Sequence, residues 1–70
     1  MFIDIEVTSG KILALLEDKG RLNFYEIKRI INVRGELIAQ CLEWLIRAGY
    51  ITEDAITREY VINTLQQVSL

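Results

Sequence analysis

Apolar and polar positions change rhythm several times along this chain, and each change marks an element. In residues 2–7, Ile3, Ile5 and Val7 alternate with Asp4 and Glu6, a period of two in β-branched residues that predicts a short strand within residues 1–7. Thr8 or Ser9 is then placed to cap a helix in which Ile12, Leu13, Leu15 and Leu16 make a wide apolar stripe. Gly20 supplies the positive φ that ends it. After a short extended link at Arg21 and Leu22, Asn23 caps a second helix, and Glu26 three residues on completes a capping box. Phe24, Ile27, Ile30 and Ile31 are its apolar positions, Lys28 and Arg29 its wet side, and Asn32 suits a left-handed residue at its end.

A third helix is predicted over residues 35–48, stopped by Gly49. At 100° per residue Ile38, Leu42 and Leu45 share a face with Cys41 beside them, while Glu36, Gln40, Glu43 and Arg47 form the opposite stripe. Two β-like runs, residues 50–52 and 57–62, are joined by a loop over residues 53–57 and predict a hairpin. Residues 63–70 leave three readings open: a further strand, a helical turn or a loose tail. The expected core is Ile12, Leu16, Ile27, Ile31, Ile38, Leu42 and Leu45, with Ile51 and Ile62 from the hairpin.

Length and charge narrow the chemistry. Seventy residues make one domain, residues 1–70, too small to bury more than about 60% of its unfolded surface. With 51% hydrophobic residues, part of that apolar surface is expected to meet a partner. The single cysteine, Cys41, fits a reducing cytosol, and a cytoplasmic protein is expected. No apolar run is long enough for a membrane span, and the acidic N-terminal residues do not read as a signal peptide. No cofactor or metal is expected: there is no histidine and no Cys/His spacing that would hold zinc. Nor is there a grouped nucleophile and base, so no enzyme is expected. The net charge of −2 is mildly acidic, without the basic excess typical of nucleic-acid binders.

Helix, extended link, helix, tight turn, helix, hairpin is an order with a precedent. Over residues 9–62 the chain resembles the winged helix-turn-helix superfamily, most of all in Leu42, Leu45, Gly49, Tyr50 and Ile51, with Ile38, Ile27, Ile31 and Val33 at matching apolar positions. The Trp44-Leu45 pair is similar to that of small stand-alone bacterial winged-helix proteins of uncharacterised function. The resemblance implies an α+β, mainly α fold of three helices and a C-terminal wing. It also implies double-stranded DNA as partner, with the third helix in the major groove and the wing on the backbone or minor groove. Candidate DNA-contacting residues are then Lys28, Arg29, Arg34, Gln40, Arg47 and Arg58, with Gln40 the one good reader of adenine.

Two features run against strong DNA binding. Glu36 and Glu43 offset the arginines of the third helix, and Glu53 and Asp54 occupy the wing tip. The competing expectation is a protein-interaction or dimerisation module on the same scaffold. Its candidate interface is Phe2, Ile3, Ile5, Trp44, Leu65 and Val68, with Tyr25 and Tyr60 as further exposed aromatics. A strand at residues 2–7 would present a backbone edge for pairing within the chain or with a second copy, and a homodimer is expected.

Overall fold

The computed structural model describes residues 2–63, with side chains described from Asp4 onward. It is an α+β fold, mainly helical, with three helices and a three-stranded antiparallel sheet.

The N-terminal segment corrects the sequence reading. It is not a strand but the first turns of α1, an 18-residue helix over Phe2–Lys19. Six residues of alternation also fit a helix if the stripe continues, and it does: Ile5, Ser9, Ile12 and Leu16 follow one another at spacings of four and three. Ile5 packs on the core, Ser9, Ile12 and Leu16 are buried, and Val7, which a strand would align with Ile5, is 51% exposed. Packing of that stripe prevails over the β preference of Ile3, Ile5 and Val7. Thr8 and Ser9 therefore cap nothing. They lie inside the helix, buried, and the Ser9 Oγ has no hydrogen-bond partner.

Gly20, at φ 94, ends α1 while its N–H still donates to the Leu16 carbonyl at 2.8 Å. The chain then extends through β1, Arg21–Asn23, the segment expected only as a link. Asn23 caps α2, Phe24–Ile30, with the reciprocal bonds of a capping box: Glu26 N–H to Asn23 Oδ1 at 2.9 Å and Asn23 N–H to Glu26 Oε1 at 2.8 Å. Asn32 does not turn left-handed. The helix closes on Ile31 in extended conformation, and Arg58 is the residue other than glycine with positive φ among those described.

The third helix, α3, covers Gly35–Arg47 and buries Ile38, Cys41, Leu42 and Leu45. It packs chiefly on α1, where the Cys41 thiol donates weakly to the Ile5 carbonyl at 3.6 Å. Gly49, at φ 87, breaks the chain away from α3. The hairpin strands β2, Ile51–Glu53, and β3, Glu59–Ile62, are shorter than the sequence suggests, and Tyr50 lies outside β2. β3 is the central strand: the order is β1-β3-β2, with Leu22 opposite Tyr60 and Glu53 opposite Tyr60 on the other side. The core contains the expected Ile12, Leu16, Ile27, Ile38, Leu42, Leu45 and Ile51, together with Cys41 and Leu22; Ile31 and Ile62 pack only partly buried at its edge.

Candidate nucleic-acid interface

Six of the eight basic side chains, all but Lys11 and Lys19 of α1, separate into two groups by what they touch. Arg21 bonds Glu59 at 3.0 Å and lies 3.5 Å from Asp54; Arg47 bonds Glu43 at 2.9 Å; Arg58 bonds Glu53 at 2.8 Å. Lys28, Arg29 and Arg34 are exposed and form no ion pair among the described residues.

Those three cations flank the turn between α2 and α3. Lys28 and Arg29 occupy the last turn of α2, and Arg34 is the N-cap of α3, its carbonyl accepting from Leu37 and Ile38 N–H at 3.1 Å each. A Cβ on Gly35 would meet the Lys28 Cε at 3.4 Å and the Phe24 ring at 3.5 Å. Gly35 thus lies beside the Lys28 stem and the Phe24 ring, at distances that a Cβ would meet as ordinary van der Waals contact. Arg34 and the neighbouring Lys28 put positive charge at the amino end of α3, where it adds to the helix dipole's attraction for an anion and is offset in part by Glu36 in the same turn.

The other candidates are placed differently. Gln40 is exposed on α3 and Arg47 is held along the same helix by Glu43. Arg58 lies on the hairpin and shares a notch with Asn23, Phe24 and Tyr25 at the start of α2. Glu53 holds its guanidinium by a hydrogen bond and raises its pKa above the ordinary value. Glu59 does the same for Arg21. The acids of the hairpin tip are thus matched by arginines, a pairing that adjacency in sequence does not show.

Asp54 organises that tip. Its Oδ1 accepts from Ile56 N–H at 2.9 Å and Thr57 N–H at 3.3 Å in an Asx turn. These backbone bonds first, and Arg21 second, hold its carboxyl below the usual carboxylate range. A pKa lower in the folded than in the unfolded chain means that the turn keeps its full order above about pH 3.9 and loses it as pH falls through the depressed value. The Ile56 and Thr57 amide resonances are expected to move together with a midpoint below that of a free aspartate; a midpoint at or above it overturns the assignment.

Of the interface candidates, Trp44 is 46% exposed and stacks on Tyr50, equally exposed, with centroids 6.2 Å apart. Ile5 packs on the core and lines a shallow groove with Gln40, Glu43, Trp44 and Arg47. The side chains of Phe2 and Ile3, and all of Leu65 and Val68, lie outside the described residues. Tyr50 is the aromatic that the sequence reading assigned to strand entry rather than to this surface; Gly49 turns it back onto Trp44.

Among the described residues no group of acids and cysteine is arranged to hold a metal, and no helix is long and apolar enough to cross a membrane. Comparisons of the chain with protein-family models, with curated proteins and with solved structures return no match.

Proposed function

We propose that the protein is a small winged-helix DNA-binding protein, a transcriptional regulator by class, that holds duplex DNA weakly through the α2–α3 turn and α3. One observation carries this: Lys28 and Arg29 in the last turn of α2 and Arg34 at the N-cap of α3 flank the α2–α3 turn, exposed and without an ion pair among the described residues. The acids of α3 and the hairpin oppose DNA less than their number suggests, because Glu43 and Glu53 are each matched by an arginine and Asp54 and Glu59 share Arg21, which leaves Glu36 as the acid of α3 outside these pairs. The element order, with the β2–β3 hairpin as the wing, supports the same reading. In it the three cations hold phosphates and Gln40 meets base edges. Titration of duplex DNA at low salt tests it, with a Lys28→Ala, Arg29→Ala, Arg34→Ala variant as the control.

A second reading, a homodimer or protein-interaction module, is favoured by the exposed Trp44–Tyr50 stack. Its support from an open strand edge at residues 2–7 falls away, since those residues are helical in α1 and present no strand edge. A two-fold contact through Trp44 would bring the Glu43–Arg47 pairs of two copies together and cover Gln40. Light scattering over a hundredfold concentration range is expected to show a rise toward twice the monomer mass; a value near 8.1 kDa throughout removes the dimer.

A further inference from the structure

An open notch of about 380 Å³ lies between the start of α2 and the hairpin, at the small end of the range of ligand sites. Phe24 and Tyr25, edge to face with centroids 5.4 Å apart, line it from α2, and half-buried Tyr60 lines it from β3. Glu53, Arg58 and Asn23 line its polar part. Their bonding leaves useful atoms over. Asn23 spends its Oδ1 on the helix cap and keeps its amide N–H groups; Arg58 gives its Nε to Glu53 and keeps both Nη groups. The site thus offers aromatic faces, N–H donors and one carboxylate acceptor.

Arg58 also stands at φ 63. A glycine or asparagine would sit there with less strain. An arginine held in that conformation suggests a side chain retained for its chemistry. Tyr25, 77% exposed, precedes Lys28 and Arg29 by three and four residues, so it is their neighbour on the surface of α2. The notch and the cation cluster are therefore joined along one helix.

We infer that this notch takes an unpaired nucleobase of a DNA strand, stacked on Tyr25 beside Tyr60, with its edge toward Glu53 and Asn23 and its flanking phosphates on Arg58 and on Lys28 and Arg29. A nucleotide matches all three features at once: a flat π face, an edge of mixed donors and acceptors, and an anionic chain. An aliphatic peptide anchor would use the aromatic walls but not the strained guanidinium. The inference rests on the nucleic-acid reading above and narrows it to DNA with a single-stranded segment.

The test compares a blunt duplex with the same duplex carrying a single-stranded overhang, for the parent chain, Tyr25→Ala, Arg58→Gly and the alanine triple variant of Lys28, Arg29 and Arg34. The overhang is expected to bind about tenfold tighter than the blunt duplex, and Tyr25→Ala to lose about that factor for the overhang alone. Arg58→Gly is expected to melt at a higher temperature, its strain relieved, yet to bind the overhang more weakly, a combination that a merely structural role would not give. Equal affinity of the parent for both DNAs, or an overhang preference that survives Tyr25→Ala, overturns the notch. If the blunt duplex still binds and the triple variant still abolishes that binding, the DNA reading stands without it. If neither DNA binds at low salt, both fall.

Discussion

Leu45→Ala lowers the stability of this protein by about 2–5 kcal/mol. Leu45 has no exposed surface and sits on the inner face of α3 among Ile38, Cys41 and Leu42. Truncation removes the transfer energy of the lost methyl and methylene groups and leaves a cavity between α3 and its neighbours. In a domain this small total stability is on the order of 4–10 kcal/mol, so the variant is partly or wholly unfolded in the absence of denaturant. Leu45→Met keeps the volume and costs less than about 1.5 kcal/mol, which separates packing from any effect on helix propensity. Thermal melts of the two variants check this; an alanine variant that melts with the parent would place Leu45 outside the core.

On the proposed reading, the affinity for blunt duplex DNA is expected to fall roughly 500-fold when salt is raised tenfold. Each phosphate neutralised releases condensed counterions and adds about −0.9 to the slope of log K against log salt. Lys28, Arg29 and Arg34 give a slope near −3. Arg21, Arg47 and Arg58 add little on a blunt duplex, because the charge of each is already offset by a carboxylate at 3.0 Å or less. The alanine triple variant is accordingly expected to bind with a slope close to zero, if it binds at all. A parent slope near −8 would show that other basic residues reach the DNA, and absence of binding at low salt would end the DNA reading.

What the sequence made legible was local. Gly20 and Gly49 need no partner to mark helix ends, and the Asn23–Glu26 capping box closes within four residues. Apolar spacing placed α3 and most of the core correctly. Residues 2–7 were misread because six residues of alternation carry too little phase information; the deciding contacts, Ile5 with the core and Ser9 beneath it, come from packing against the rest of the chain. Leu22 looked like linker because its burial depends on β3, far along the chain. The cation cluster was half legible. Lys28, Arg29 and Arg34 are plain in the sequence, but that they form no ion pair among the described residues while Arg21, Arg47 and Arg58 do follows only from the fold. Arg58 gave no sign of a left-handed backbone, since glycine and asparagine are the residues that announce one.

The position of β3 at the centre of the sheet bears on how the chain reaches its fold. β1 lies between the first two helices, yet its hydrogen-bonded partner is the last strand described, with Arg21 opposite Val61. During synthesis, which delivers the N-terminal part first, the helices can form and begin to pack, but neither outer strand has anything to pair with until β3 emerges. The loop to be closed is most of the domain, so this pairing comes late and slowly compared with the helical contacts. Until then the outer strands have unpaired hydrogen-bonding edges, and in that interval such edges are open to association with neighbouring chains.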